Sequence, residues 1–447
     1  MHRLRSGEPT WYLMPSRAEG IIGWMTVLLV HVPVGFEEAY PLALAALASP
    51  LLEAGHRVEG LDLARVGLLA LQARLDRGDI SVVGLSVWSP ALAECIEVAR
   101  LVQEAPGSPT LVVGGPHPTL LPADVPADVV VQGEGELAFA YAVAEVAAGR
   151  TPEPILRFDV ADMATLPLPD RTVFGVADYH REHRPTGLRY ASDVTSRGCL
   201  YSCAYCSAPQ IWGRGHRFRP AEQVVAHWSQ LAQDHGVHGI LVEDDLFTQR
   251  KARVHELCEQ LIRAQRPVAW ELLNGVRPET LDRPLLDVMQ QAGLTRMALS
   301  LESGSPVHLK ALGRSPDLQR ARQAVLDAKR SGIGVTGYFV MGLPGETEAD
   351  RRATFDWACS LPLDMAHFSV ASAWPGTKWT ADDLTHVPPS ERSGYYASWY
   401  LHPVRAWRAA KVLGVRVSEL PDMMNRLAQW MARPLEERRT RILDEAP

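Results

Sequence analysis

The sequence predicts an α/β protein: an N-terminal doubly wound parallel sheet, a second series of βα units, and a short helical C-terminal segment. Three observations predict it. Short apolar runs recur along the chain, unbroken by charge, as strands buried on both faces are. Most are followed by a stretch of helical spacing, so strand and helix alternate and the strands should run parallel. A Pro- and Asp-rich interval, Pro152 to Arg181, interrupts the alternation and divides the chain in two.

Residues 1–24 read as an extension. Ile21 to Val34 has the look of a signal segment, but it lacks a small-residue cleavage site and runs straight into a folded pattern. Met25 to Val30 is therefore the first strand. A helix over Pro41 to Glu53 stops at Gly55, a natural residue to follow a helix end. Strands at Val58 to Leu61, Ser81 to Val87, Thr110 to Gly115 and Val129 to Val131, with a helix near Ala91 to Glu104, complete a unit at 25–150. It ends in Gln132-Gly133-Glu134-Gly135-Glu136. Doubly wound sheets bind ligands beyond the carboxyl ends of their strands. Ser86, Ser89 and Gly114-Gly115-Pro116-His117-Pro118-Thr119 collect there. Gly114 and Gly115 either admit a large flat ligand or merely turn the chain, and His117 reads as a turn residue rather than a metal ligand. Residues 151–184 read as a linker packed on the surface.

The second unit, 185–384, begins with Arg189 to Ser196. After a helix from Ala221 to Gln233, which starts behind Pro220, strands follow at Gly239 to Asp245, Val268 to Asn274, Arg296 to Glu302 and Ile333 to Val340. The fourth of these runs into Met341-Gly342-Leu343-Pro344-Gly345-Glu346, and Met365 to Val370 closes the series. That makes about six βα units, whose active groups should lie at the carboxyl ends of the strands. Cys258 and Cys359 fall on helical stretches and read as packing residues. In 385–447 an aromatic-rich stretch, Ser393 to Pro403, precedes helices near Val404 to Leu413 and Leu420 to Ala432, a cover for the open side of the second unit.

Of 447 residues, 47% are hydrophobic, enough for two cores, and the net charge of −7 argues against a nucleic-acid surface. No apolar run reaches the ~20 residues that span a bilayer. Six cysteines without a secretory signature read as cytoplasmic thiols rather than disulfides.

The chemistry gathers in Ser196-Arg197-Gly198-Cys199-Leu200-Tyr201-Ser202-Cys203-Ala204-Tyr205-Cys206, with cysteines spaced C-x3-C-x2-C. Thiolates are soft ligands suited to iron–sulfur centres or zinc. A structural zinc closes with four ligands, whereas three leave a position open for substrate.

This spacing resembles the radical SAM superfamily. The resemblance implies a 4Fe-4S cluster on Cys199, Cys203 and Cys206 whose open iron holds S-adenosyl-L-methionine. It implies reductive cleavage to a 5′-deoxyadenosyl radical, an external electron donor such as flavodoxin or ferredoxin, and a partial (β/α)6 barrel. Tyr205 would then lie near the adenine. The N-terminal unit resembles the cobalamin-binding domain that precedes many such barrels. It has no D-x-H-x-x-G, so no axial histidine is marked and cobalamin stays an open expectation.

Strand alternation puts Glu243 and Asp245 on one face and Asp244 on the other, and likewise sets Ser300 and Glu302 on one face of their strand. Family patterns place one carboxylate of the Glu243-Asp244-Asp245 trio, with Asp244 the candidate, at the SAM amino group, Ser300 and Glu302 at the ribose, and Gly337 and Gly342 at the adenine. They also raise Arg217 and Arg219, whose cationic loop would sit near the SAM carboxylate or the electron donor. Glu243, Asp245 and Glu271 are the catalytic candidates, with Asn274 and Arg277 also facing substrate. Converging carboxylates favour a cationic or polyhydroxylated small substrate. The branch most resembled is the diol dehydratases of aminoglycoside (apramycin) antibiotic biosynthesis, lyases that remove a hydroxyl from a sugar such as paromamine, with a buried carboxylate as acid or base. The alternatives are a cobalamin-dependent radical SAM C-methyltransferase and, outside catalysis, an iron–sulfur or cobalamin sensor.

Overall fold

The computed structural model describes residues 24–379, apart from 34–39, 161, 180, 184–187, 265–267 and 373. The expectations for the N-terminal extension, before residue 24, and for the helical segment at 385–447 lie outside the described residues.

The first sheet contains β1 (Thr26–His31), β2 (Arg57–Asp62), β3 (Val82–Ser86), β4 (Thr110–Gly114), β5 (Val129–Val131) and β6 (Ile155–Leu156). Its order is β2-β1-β3-β4-β5-β6, parallel throughout. The winding reverses between β1 and β3, which makes their carboxyl ends the switch point where such sheets take ligands. Helices α1 (Leu42–Glu53), α2 (Leu63–Leu75), α3 (Leu92–Gln103), α4 (Pro116–Leu120) and α5 (Gly135–Ala147) connect the strands. Val27 and Leu29 face one core with Leu44 and Phe139, and Leu28 and Val30 face another with Leu92 and Val98. The unbroken apolar runs therefore reflect burial on both faces.

In the second unit come β7 (Arg181–His183), β8 (Leu188–Asp193), β9 (Ser196–Arg197), α6 (Ala208–Trp212), β10 (Arg217–Phe218), α7 (Ala221–His235), β11 (Gly239–Val242) and α8 (Lys251–Arg263). They are followed by β12 (Ala269–Val276), α9 (Arg283–Gln291), β13 (Leu294–Glu302), α10 (Pro306–Ala311), α11 (Leu318–Arg330), β14 (Gly334–Met341), α12 (Glu348–Cys359) and β15 (Met365–Val370). The sheet runs β15-β14-β13-β12-β11-β8-β7, and only β7 is antiparallel. Six parallel strands thus form an open, partial barrel. Trp228, Phe247 and Trp270 pack between sheet and helices, and the Trp270 indole donates to Ala292 O at 3.0 Å.

The interval read as a surface linker is partly exposed but sends several side chains inward. Ile155 and Leu156 extend the first sheet, and Val160, Met163, Leu166 and Phe174 are buried. Its polar composition misleads because its carbonyls are bound by side chains. Arg219 donates to Met163 O at 3.1 Å, Leu166 O at 2.8 Å and Pro167 O at 3.0 Å. Arg171, also buried, meets Asp193 at the end of β8 at 3.4 Å and lies over the Tyr40 ring. Burial pushes the Asp193 carboxyl up, but His227 and Arg171 more than reverse this and hold it at about 2.

Candidate functional site

The three cysteines lie on the loop between β9 and α6, and this loop crosses the carboxyl ends of the barrel strands. Successive strand ends each hold one part of it. After β11, Asp244 accepts hydrogen bonds from Thr195 N (2.6 Å), Thr195 Oγ1 (2.7 Å) and Ser196 Oγ (2.5 Å). Asp245 accepts from Gly198 N at 2.9 Å, and Gln249 accepts from Leu200 N at 3.0 Å. After β12, Arg277 Nη1 lies 3.3 Å from Cys203 Sγ. At the end of β13, Glu302 Oε1 accepts from Tyr205 OH at 2.6 Å. Gly198 has φ +87°, and a Cβ there would sit 2.0 Å from Gly215 O, so only glycine admits this entry to the loop.

Each sequence-derived candidate can now be placed. Tyr205 and Glu302 are brought together. Glu302 takes φ +64°, rare for a residue with a side chain. The cause is a bulge: Ser300 pairs with Tyr338 and Glu302 with Phe339, leaving Leu301 extra. Simple alternation, which put Ser300 and Glu302 on one face, fails here. Arg314 donates to Ser300 O at 2.5 Å and lies 3.9 Å from Glu302. Gly342, at the end of β14, donates its N–H to Glu346 Oε2.

Glu243 accepts from Ser192 Oγ at 3.1 Å, and Asn274 bonds the Glu243 carbonyl at 2.7 Å, so both stand at the mouth. Burial pushes the Asp245 carboxyl up to about 6.

Four candidates have other work. Asp244 is buried and its oxygens clamp the loop entry, with Arg253 at 3.9 Å; they are spent before any ligand arrives. Glu271 lies level with Leu241, nearer the amino end of its strand, and pairs with Arg296 of β13 at 2.7 Å. Gly337 turns toward the helices, where a Cβ would meet Leu363 Cδ1 at 2.7 Å; it is a packing glycine. Arg217 points at the first unit and binds Glu134 at 2.6 Å.

That last contact belongs to a network missed in the sequence. Arg197, two residues before Cys199, meets Glu134 at 3.2 Å and also pairs with Glu136, while its guanidinium covers the Trp212 ring. Burial drives the Glu136 carboxyl up, but Arg197 overcomes this and holds it below its usual range. Glu134 and Glu136 flank the start of α5, so the carboxyl edge of the first sheet is pinned to the cysteine loop. Gly133 faces Ile211 of α6 as well: a Cβ there would sit 3.6 Å from the Ile211 carbonyl. The only forward signal was the Glu-Gly-Glu turn after β5.

The donor set fits a three-thiolate cluster. The cysteines are free, partly buried and mutually repulsive: burial raises Cys199 and carries Cys206 up to about 11, and their neighbouring thiols add to both. Among the described residues no group of three or more His, Cys, Asp or Glu side chains closes on a single metal ion. A cubane spreads its thiolates over a wider tripod than one ion does. At the first sheet, His117 is fully buried, with Nδ1 2.9 Å from Ser89 Oγ and Nε2 3.3 Å from Asp124. It lies within α4, with both ring nitrogens engaged by side chains. At Gly115, φ +103°, a Cβ would sit 3.0 Å from Val87 N and O, so glycine serves the close approach of the chain there. Among the described residues no helix is long and apolar enough to cross a membrane.

Family models agree with this division of the chain. The one described as Radical SAM superfamily matches residues 194–358, and the one described as B12 binding domain matches residues 31–143. An uncharacterized methyltransferase of Pyrococcus horikoshii is 29% identical over 76% of this chain and 77% of its own length. The anaerobic magnesium-protoporphyrin IX monomethyl ester cyclase of Cereibacter sphaeroides is 26% identical over 66% of this chain, which spans about half (52%) of that relative. Among solved structures, the radical S-adenosylmethionine methyltransferase TsrM of Kitasatospora setae shares the fold with a TM-score of 0.66, at 19% identity over 81% of this chain and 77% of that one.

Proposed function

Because the chain belongs to the radical SAM superfamily and carries a B12-binding domain, we propose that it is a cobalamin-dependent radical SAM C-methyltransferase acting on a small molecule. The observation that carries this reading is the junction of the two units. The Glu134–Glu136 turn of the first sheet is locked by Arg197 to the loop of Cys199, Cys203 and Cys206. A group on the first sheet's carboxyl edge and a group on the cysteine loop would share one cavity. When bound, the cluster with SAM supplies a 5′-deoxyadenosyl radical, and cobalamin supplies the methyl group.

The chain's own residues then divide the work. Cys199, Cys203 and Cys206 would hold the cluster. Tyr205, Glu302, Ser300 and Gly342 line the strand ends assigned to SAM, and the buried Glu302–Tyr205 bond orients the aromatic ring. Glu243 and Asn274 face the mouth and would position a polar substrate. Asp245 and Asp244 anchor the loop. Methyltransferases also recur among the relatives, including a cytidylyl-2-hydroxyethylphosphonate methyltransferase of Streptomyces wedmorensis, 29% identical over 43% of this chain and 37% of its own.

The expectation of sugar dehydration gives way to this reading. Of its acid–base candidates Glu271 is committed to Arg296, while Glu243 and Asp245 stay open; the preference rests on the relatives, among which methyltransferases recur. The test reconstitutes the protein anaerobically with iron, sulfide and hydroxocobalamin, then assays SAM, a low-potential reductant, and either paromamine or cytidylyl-2-hydroxyethylphosphonate. Corrinoid absorbance retained after gel filtration and a product heavier by one methylene support methylation. Loss of water from paromamine, without retained corrinoid, restores the dehydratase. Intact SAM under strong reductant leaves only a sensor.

A further inference from the structure

Arg277 is a permanent cation placed against a thiol. It follows the last residue of β12, and its side chain is buried. Nη1 lies 3.3 Å from Cys203 Sγ, and the guanidinium stacks 3.7 Å above the centre of the Tyr201 ring. Thr280 N and Oγ1 both donate to the Arg277 carbonyl, at 3.1 and 2.7 Å, fixing the backbone from which the side chain springs. Its carboxylate neighbour, Glu279, is 3.5 Å from Nε but outside hydrogen-bonding geometry, and is the more exposed of the two. A buried guanidinium needs a buried anion. The one with hydrogen-bonding geometry here is the sulfur of Cys203. Tyr201 and Cys203 belong to the same loop, so the loop grips the arginine from two sides. A planar guanidinium suits this, because it stacks on a ring and directs an N–H at once, which an ammonium does not.

On the reading that the three cysteines hold a 4Fe-4S cluster, we propose that Arg277 is a positioning residue that sets how readily that cluster accepts one electron, through an N–H···S bond to Cys203. Reduction adds one electron, delivered by a low-potential donor of the flavodoxin or ferredoxin class, and leaves the cluster one unit more negative. A hydrogen bond to a ligating sulfur and a fixed nearby cation both favour the more negative state. The effect is large because the site is buried and little screened.

The experiment compares the wild type with R277M, R277K and Y201L. Reconstituted proteins of equal iron and sulfide content are titrated with dithionite, and the reduced cluster is followed by electron paramagnetic resonance. R277M is expected to disfavour reduction about tenfold, a midpoint lower by ~59 mV for one electron. R277K and Y201L should shift it less, in the same direction. An unchanged midpoint in R277M overturns the proposal. So does an unchanged midpoint with SAM binding weakened tenfold or more, which would make Arg277 a SAM ligand. If R277M takes up no cluster, R277K and Y201L decide by the same criterion. Wild-type protein that takes up no cluster refutes the cluster reading itself and the proposal with it, an outcome distinct from an unchanged midpoint in a loaded R277M.

Discussion

Removing Arg197 should destabilise the protein out of proportion to one side chain. Arg197→Met keeps the apolar stem over Trp212 and deletes the guanidinium. Glu134 retains Arg217 at 2.6 Å and the Val160 N–H at 3.1 Å. Glu136 keeps no such ion pair: the partner that pulled its carboxyl below the usual range is gone, while its burial remains. Breaking a buried pair from one side costs about 3–5 kcal/mol, because the surviving charge is stranded. Adding Glu136→Gln removes that charge, so R197M/E136Q should be more stable than R197M alone, with a coupling of about 2 kcal/mol. The assay is urea unfolding of the metal-free protein followed by tryptophan fluorescence, with stability read from the midpoint where the slope is unchanged. A loss under ~1 kcal/mol for R197M, or strict additivity in the double variant, would refute the claim that this pair locks the two units together.

Other expected outcomes follow from single contacts. Gly198→Ala forces a Cβ onto the Gly215 carbonyl at 2.0 Å in a left-handed conformation, and should cost 2 kcal/mol or more (an order-of-magnitude figure, about the sum of strain and overpacking) and reduce iron uptake sharply; thermal melting and iron content check it. Asp244→Asn leaves one oxygen for three donors and should loosen the loop entry, seen as faster proteolysis near residue 198, whereas Glu271→Gln should lower stability without altering iron content. Partial burial pushes the Glu346 carboxyl up to about 7 from an ordinary 4.5. It binds its proton more tightly folded than unfolded, so its contribution is full below pH 4.5 and fades as pH rises through 7. Ionising it costs on the order of 3 kcal/mol. Melting temperature should therefore drop between pH 5.5 and 8 in wild type and drop less in Glu346→Gln; parallel curves would contradict this.

The strands and the cysteine loop were legible because they rest on local rules. A strand buried on both faces must be continuously apolar, and three thiolates at close spacing leave few chemical readings. Asp244 and Glu271 were misjudged because a carboxylate near a strand end looks the same whether it meets a ligand, a backbone N–H or an arginine from the next strand. Ser300 and Glu302 were paired by alternation, and a bulge one residue long undid it.

By itself, then, the sequence determined the two α/β units, the order of their strands along the chain and the closely spaced cysteine triplet, since each follows from neighbours within a few residues. Only the tertiary structure decided that the supposed linker adds a strand to the first sheet and sends buried side chains inward, that Arg197 and Arg217 serve the junction, and that Arg277 meets Cys203. Those contacts join residues about 60 to 80 positions apart. Which charge answers which is settled by the register of parallel strands and the packing of two sheets, and no local pattern records either.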